Sequence, residues 1–255
     1  MKPEFTAHNI VLSDGTQTKP ESAQTLDRTP WFEAARRVFE LAFPGDRSRI
    51  RVLDVGCLEG GYSVELARLG FDVTGLEVRE SNLVCCRWVK ERVDLPNLRF
   101  VQGDAMDLPK FGAFDAIFCC GLLYHLDEPR RFLNMASAAA TRLLYLQTHF
   151  STGRDNPRFN LSPPAVHEGV SGRWFMEYPD DATFDKRDEL RWASWNNRRS
   201  FWIRREALLH LLQELGYDLV LEQYDGLGSN IAHALTQGYY FTDERGTFIG
   251  IRTRA

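Results

Sequence analysis

The sequence predicts an α/β fold in which crossover helices join the strands of a parallel sheet. From about residue 50 onward, short apolar runs alternate with helical patterns, as they do in parallel sheets. The run 114–120 is strongly apolar, which is expected of a central strand that is buried on both faces. The segment 51–62 combines an apolar strand with a small-residue turn that leads into a helix.

The elements follow in a regular order along the chain. We predict strands at 49–55, 71–76, 98–102, 114–120, 142–148, 217–223 and 248–253. We predict helices at 30–41, 61–69, 81–93, 129–140 and 204–215. Ser81 is expected to cap the third of these helices, and Pro129 suits the first turn of the fourth.

Residues 151–200 interrupt this alternation. They hold four prolines and three tryptophans and show little periodicity. Loops of this length inside compact domains are usually functional or disordered, and the aromatic content argues against disorder. We therefore interpret 151–200 as an insertion that folds over the carboxyl edge of the sheet. Residues 1–45 are expected to form a separate cap or lid, and 46–255 the main domain.

Composition excludes several classes of protein. The chain has 255 residues, of which 44% are hydrophobic and 26% charged, as in ordinary globular proteins. The net charge of -4 provides no overall basic field for nucleic acid, and no apolar run reaches the roughly 20 residues of a membrane span. The N-terminus lacks an apolar signal core. The five cysteines include no Cys-x-x-Cys pair, so we expect neither zinc nor disulfides, and a cytoplasmic location with reduced thiols.

Small or acidic residues end each of the first four predicted strands. The first strand ends in Asp54-Val55-Gly56-Cys57-Leu58-Glu59-Gly60, the second in Glu77, the third in Asp104 and the fourth in Gly121-Leu122-Leu123-Tyr124-His125. In open α/β sheets, ligands bind outside the carboxyl ends of the strands. Over residues 48–150 this set resembles the class I S-adenosylmethionine-dependent methyltransferases, with a looser fit at 217–253.

The resemblance implies a Rossmann-like, seven-stranded, mostly parallel sheet with an antiparallel last strand. It also implies S-adenosyl-L-methionine as cofactor and S-adenosyl-L-homocysteine as product. By this likeness Glu77 accepts both ribose hydroxyls, Asp104 accepts from the adenine amino group, and the Asp54 turn holds the amino-acid tail. The implied cofactor-binding residues are Asp54, Gly56, Cys57, Gly60, Glu77, Asp104, Ala105, Gly121 and Tyr124.

One position departs from the family pattern. The usual middle glycine of the first motif is Leu58 here, and Glu59 follows where a small polar residue is common. A leucine fits this turn only with a negative φ, so we expect the loop to follow a somewhat different path.

His125 is the candidate general base, because it follows the fourth strand and an unperturbed histidine pKa of about 6.5 suits proton removal. The alternative is a histidine that only shapes the pocket. His149, just past the fifth strand, is the second candidate. The aromatic residues are either walls of a substrate pocket or the core of the insertion. The candidate pocket residues are Trp31, His167, Trp174 and Trp202.

These features predict methyl transfer to a small-molecule acceptor, with oxygen favoured over nitrogen and the capping segments setting acceptor identity. Nucleic acid, a membrane and a metal are not expected as partners, and a homodimer is compatible with the sequence.

A weaker resemblance, carried by 121–125 and 198–203, is to the tRNA wobble-uridine carboxymethyltransferase branch. Residues 151–205 carry ten basic and eight acidic side chains, a surplus of two that is too small to decide for RNA. A non-catalytic adenosylmethionine-binding domain is a further alternative. A dinucleotide oxidoreductase is disfavoured because Gly-x-Gly-x-x-Gly is missing.

Overall fold

A computed structural model describes residues 1–179, 181–183, 189–223 and 244–254 of the chain. The chain divides into two compact units, residues 1–118 and 119–255. Within the described part, the elements agree with the predicted α/β alternation up to the fifth strand.

Parallel strands form the centre of the first unit. Its strands are β1 (Arg51–Val55), β2 (Asp72–Glu77), β3 (Leu98–Gln102) and β4 (Phe114–Cys120), the last of which ends just beyond the unit. Its helices are α1 (Pro30–Ala42), α2 (Gly61–Arg68) and α3 (Glu80–Lys90). β1 pairs with β2 on one side and with β4 on the other, and β2 pairs with β3, all in parallel.

The core of the first unit forms where α1 packs on the sheet. Leu53 of β1 is fully buried, as expected of a strand covered on both faces. Phe39 of α1 meets Phe71 edge-on with ring centroids 5.5 Å apart and lies 6.0 Å from Phe118 of β4. The helix begins at Pro30, where the hydroxyl of Thr29 accepts the N–H of Phe32.

In its described residues, the second unit combines antiparallel strands with two helices. Its elements are α4 (Pro129–Ala139), β5 (Ala140–His149), β6 (Ala165–His167), β7 (Val170–Met176), β8 (Arg199–Ile203), α5 (Arg205–Glu214), β9 (Leu219–Gln223) and β10 (Arg245–Ile251). β10 runs antiparallel to both β5 and β9, and β7 lies between β6 and β8 in a small antiparallel sheet.

Seven of the described strands form one sheet in the order β3-β2-β1-β4-β5-β10-β9. This confirms the predicted Rossmann-like, mostly parallel sheet with an antiparallel last strand. No described helix is both long enough and apolar enough to cross a membrane.

Two local predictions were wrong. Ser81 does not cap the third helix, because that helix begins at Glu80 with Arg79 as its N-cap and ends at Lys90. No strand was predicted within the insertion 151–200, yet it contains β6, β7 and the first two residues of β8. β6 has only three residues, and the apolar run of β7 is interrupted by Gly172 and Arg173, so neither shows a strand-like alternation.

Candidate functional site

The turn after β1 has an unusual backbone. Gly56, Leu58 and Gly60 all have positive φ, at 73°, 53° and 81°. The expectation that Leu58 keeps a negative φ was therefore wrong. A left-handed conformation costs a non-glycine residue roughly 1–2 kcal/mol. Two hydrogen bonds hold Leu58 in place: its N–H donates to Oε2 of Glu77 at 2.9 Å, and its carbonyl accepts from the Cys86 thiol at 3.2 Å.

Gly60 makes the turn fit closely against β3. A Cβ at this position would lie 2.6 Å from the ring of Phe100, and its φ of 81° disfavours any side chain. Glycine is therefore required here for both space and conformation. The missing Cβ of Gly60 thus lets the turn pack directly against Phe100 and Cys86.

Glu77 ends β2 and is buried, with 5% of its surface exposed. Its Oε1 accepts the N–H of Arg79 and its Oε2 that of Leu58, each at 2.9 Å. Burial raises the pKa of Glu77 above its ordinary value, and these hydrogen bonds oppose the rise. The side chain of Asn82 also hydrogen-bonds to Glu77. A carboxylate offers about four acceptor positions, so roughly one remains on Glu77 for a further donor such as a ribose hydroxyl.

Asp54 lies at the end of β1 with 1% of its surface exposed. The hydroxyl of Ser63 donates to its Oδ2 at 2.6 Å. Burial, reinforced by the nearby charge of Glu77, raises the pKa of Asp54 from 3.8 to about 7. Asp54 is therefore poised to change charge near neutral pH.

The remaining predicted cofactor residues of the first unit follow β1 and β3. Asp104 is the N-cap of the short 3-10 segment Ala105–Phe111, and its Oδ1 accepts the N–H of Met106 at 2.8 Å. Cys57 is buried with its sulfur 4.0 Å from that of Cys86, and burial raises the pKa of its thiol well above the ordinary value. Cys57 is thus a packed residue and a poor nucleophile.

The carboxylates at or near the ends of β1, β2 and β3 fit the chemistry of adenosylmethionine. Glu77 ends β2 and Asp104 lies two residues beyond the neighbouring parallel strand β3, and each carboxylate retains acceptor capacity for a hydroxyl or amino group of a nucleoside. The carboxylate of Asp54 lies just before the turn and is buried. Trp31, a predicted pocket residue, lies on α1 and is 44% exposed.

In the second unit, the turn after β4 brings Gly121 and Tyr124 together. Gly121 has a φ of 82°, and its N–H donates to the carbonyl of Gln147 at 2.9 Å. Burial raises the pKa of the Tyr124 phenol. The guanidinium of Arg245 lies over the Tyr124 ring at 5.8 Å and donates to Oε1 of Gln147 at 2.8 Å.

His125 is paired with a buried carboxylate. Its Nδ1 lies 3.0 and 3.1 Å from the two oxygens of Glu177, whose side chain is 1% exposed against 15% for His125. Glu177 also accepts the hydroxyl of Ser200 at 2.7 Å and the N–H of Ser194 at 3.1 Å. A carboxylate only accepts, so Nδ1 of His125 carries the proton. The sequence-based reasoning missed Glu177, which stands in an irregular segment without any motif.

The other predicted aromatic and histidine residues of this unit are packed together. Nδ1 of His149 faces the carbonyl of Glu244 at 3.2 Å, and the ring stacks on Trp202 at 4.8 Å. Trp202 is 2% exposed and donates from Nε1 to the carbonyl of Tyr124. His167 packs against Trp174 at 4.7 Å. Trp202 is therefore part of the packing of the second unit.

All five cysteines are free thiols. Within the described ranges, no three His, Cys, Asp or Glu side chains are grouped so that they could hold a metal ion.

Residues 28–222 match the family model described as "Methyltransferase domain". Among solved structures, the N-terminal domain of EvdMO1 with SAH bound is 26% identical, with a TM-score of 0.64 over 88% of this chain and 81% of that one. The same domain in the presence of SAH and D-fucose superposes with a TM-score of 0.66 over 96% of this chain and 90% of that chain. At 24% identity this second likeness concerns the fold alone.

Two curated relatives show partial matches. The tRNA U34 carboxymethyltransferase of Campylobacter fetus subsp. fetus is 26% identical over 192 residues, 68% of this chain and 65% of that protein. The ubiquinone biosynthesis O-methyltransferase of Rickettsia typhi is 27% identical over 88 residues, 34% of this chain and 35% of that protein. The chain therefore spans between about a third and two thirds of the length of these relatives.

The family match covers well over half of the chain, and the fold and the carboxylates at the ends of β1, β2 and β3 agree with it. It favours an enzyme over the non-catalytic and the oxidoreductase alternatives. The chain belongs to the methyltransferase-domain family and is a class I S-adenosylmethionine-dependent methyltransferase.

Proposed function

We propose that this enzyme methylates a hydroxyl oxygen of a small-molecule acceptor, and that His125 removes the acceptor's proton. The observation that supports this most directly is the contact between Nδ1 of His125 and the buried carboxylate of Glu177, at 3.0 and 3.1 Å. Nδ1 then carries the proton, which leaves Nε2 as the free acceptor of the ring. Among the described residues, no hydrogen-bond partner of Nε2 is present.

Glu177 is held so that it can orient the imidazole. Its remaining acceptor positions face the Ser200 hydroxyl and the Ser194 N–H, both of which restrict rotation of the carboxylate. Asn197 adds a second restraint, because its amide donates to the carbonyl of His125 at 2.9 Å. A histidine with its tautomer and orientation fixed by a carboxylate is a suitable general base near neutral pH.

On the donor side, we assign Glu77 to the ribose hydroxyls, Asp104 with Ala105 to the adenine, and Asp54 with the Gly56–Gly60 turn to the amino-acid tail. When bound, adenosylmethionine supplies an electrophilic methyl group on its sulfonium. The protein's contribution is to align the acceptor with that methyl group and to keep water out. Gly121 and Tyr124 are assigned to the same ligand by the family resemblance.

An oxygen acceptor agrees with the presence of a base. A hydroxyl must lose its proton as the new bond forms, and an oriented histidine provides the place for it. The Rickettsia relative is named an O-methyltransferase, which also favours an oxygen acceptor. We further propose that the capping segments set the identity of the acceptor, with Trp174 and His167 of the second unit as candidate contacts.

The test is turnover of an acceptor panel of phenols, catechols and sugars, including D-fucose, with adenosylhomocysteine and methylated product measured by mass spectrometry. We expect His125→Ala and Glu177→Gln each to lower kcat about 100-fold or more. Affinity for adenosylhomocysteine should be unchanged in both.

The matched controls are His210→Ala and Glu214→Gln, a histidine and a glutamate of α5 that pair at 3.4 Å on the surface. Both should keep wild-type turnover. If His125→Ala retains full kcat with a hydroxyl acceptor, His125 is not the base and the proposed mechanism fails.

A tRNA modification is the second candidate, supported by the match to the Campylobacter enzyme over 68% of this chain. Arg199 is exposed, and its guanidinium lies 4.0 Å from the ring of Trp174, a pairing that nucleic-acid surfaces also use. A gel shift with bulk tRNA at low salt decides between the candidates. Tight binding that weakens steeply with salt would favour tRNA, and its absence would favour the small molecule.

A further inference from the structure

The N-terminal segment of the first unit is fastened to the turn after β1. Glu59 is fully buried, and its carboxylate accepts four hydrogen bonds from residues 6–8. Thr6 donates its N–H at 2.5 Å and its hydroxyl at 2.8 Å, Ala7 its N–H at 3.1 Å and His8 its N–H at 2.8 Å. A buried carboxylate is costly unless it is paired or hydrogen-bonded, so Glu59 depends on these donors.

His8 makes a second connection to the same turn. The N–H of Gly61, the first residue of α2, donates to Nδ1 of His8 at 3.0 Å. The first N–H groups of a helix have no partner within the helix, so the imidazole satisfies one of them. The His8 ring also meets Tyr62 edge-on at 5.3 Å. Neither contact involves a residue assigned to the cofactor.

We propose that Thr6, His8 and Glu59 are positioning residues that hold the cofactor-binding turn in its ligand-ready shape. We call these three residues, with their bonds to the turn, the N-terminal latch. The turn has a left-handed Leu58 where the family uses glycine, and its backbone is held on one side by Glu77 and Cys86. The latch holds the following residues, Glu59 and Gly61, from the other side.

The inference rests on the assignment of the Asp54–Gly60 turn to adenosylmethionine, and it is independent of the acceptor. It predicts that the N-terminal segment sets the affinity for the cofactor without touching it. A weakened latch should raise the KM for adenosylmethionine and the Kd for adenosylhomocysteine, and leave kcat at saturating cofactor close to wild type.

The experiment compares His8→Leu, which cannot accept the Gly61 N–H, with His8→Asn, whose side-chain oxygen can. Calorimetry with adenosylhomocysteine should show binding about tenfold weaker for His8→Leu, the effect of losing roughly 1.4 kcal/mol. His8→Asn should restore most of the affinity. Hydrogen exchange of residues 56–61 in the cofactor-free protein should be faster in His8→Leu alone.

Further variants separate positioning from folding. Glu59→Gln removes the buried charge of the latch and is the variant most at risk of not folding. Thr6→Val removes only the hydroxyl hydrogen bond to Glu59, so it should fold and should bind adenosylhomocysteine more weakly than the wild type. Ser13→Ala is the control within the same segment, because the Ser13 hydroxyl accepts from Asp94 at 3.0 Å and has no contact with the turn among the hydrogen bonds of the described residues. Ser13→Ala should bind adenosylhomocysteine as the wild type does.

Unchanged affinity and unchanged hydrogen exchange in His8→Leu would overturn the latch. Equal loss of affinity in His8→Leu and His8→Asn would also overturn it, because the accepting atom would then be irrelevant. Failure of the wild type to bind adenosylhomocysteine would overturn the cofactor assignment and the latch together. Intact binding without turnover of any hydroxyl acceptor would count against the proposed function only.

Discussion

Replacing Asp54 by asparagine tests whether burial controls the charge of the turn. The side chain is 1% exposed, and burial raises its pKa from 3.8 to about 7. Asparagine has the same shape, and its oxygen can accept the Ser63 hydroxyl that now donates to Asp54 at 2.6 Å. The variant therefore removes the buried charge and retains the packing. We expect Asp54→Asn to raise the free energy of unfolding of the cofactor-free protein at neutral pH.

The size of the effect follows from the shift in pKa. An acid whose pKa is higher in the folded state stabilises the fold fully below its unfolded value of 3.8, and this contribution is lost as pH rises through about 7. The loss amounts to ~1.4 kcal/mol per pH unit, or ~4 kcal/mol in all. Asparagine does not titrate, so the advantage of Asp54→Asn should grow up to about pH 7 and then level off.

The assay is urea unfolding of both proteins at intervals between about pH 5 and pH 8.5. Asp46→Asn is the matched control, since Asp46 is exposed and hydrogen bonds from Ser48 lower its pKa. The difference in free energy of unfolding between Asp46→Asn and the wild type should not change with pH across this range. A flat difference for Asp54→Asn as well would mean that Asp54 is already ionised at about pH 5, and the reasoning from burial would be refuted.

Three further outcomes can be checked by unfolding experiments. Gly60→Ala should lower the free energy of unfolding by about 2 kcal/mol or more, because its Cβ would overlap the Phe100 ring. Gly15 has a similar φ of 84° but open space around it, so Gly15→Ala should lower the free energy of unfolding by only about 1 kcal/mol. Burial lowers the pKa of His8 in the folded state, so the free energy of unfolding of the wild type should fall as pH drops below 6.5, the pKa of the unfolded state. The free energy of unfolding of His8→Asn should fall less over the same range, because asparagine does not titrate. Leu58→Gly should change stability by less than ~1 kcal/mol, because relief of the left-handed leucine is offset by the greater freedom of the unfolded chain.

Those parts of the fold that depend on local pattern could be predicted. β3 and β4 have the predicted bounds. The run of β4 is largely apolar because it is an inner strand of the sheet, whereas β3 lies at the sheet edge and exposes Arg99 and Gln102. The predicted α4 is one residue too long, and its proline occupies the first turn as expected. β6 and β7 were missed because a three-residue strand and a run broken by Gly172 and Arg173 carry no periodic signal.

The sequence could place single residues of the candidate site, but it could not predict the contacts between distant residues. Glu77 and Asp104 could be placed at strand ends from the order of elements alone. Glu177 could not, because it stands 52 residues from His125 and nothing in either local sequence marks the pairing. Side-chain contacts over such separations depend on packing, which periodicity does not encode.

Leu58 and Glu59, the two positions that depart from the family pattern, are both held by hydrogen bonds. A left-handed leucine is tolerated when its N–H and its carbonyl are both bonded, and Glu77 and Cys86 provide those bonds. Glu59 then requires donors for a fully buried carboxylate, and in the described chain Thr6, Ala7 and His8 supply them. The N-terminal segment and the altered motif are therefore linked, because a chain that had Leu58 and Glu59 without residues 6–8 would leave a buried charge unsatisfied in the turn after β1.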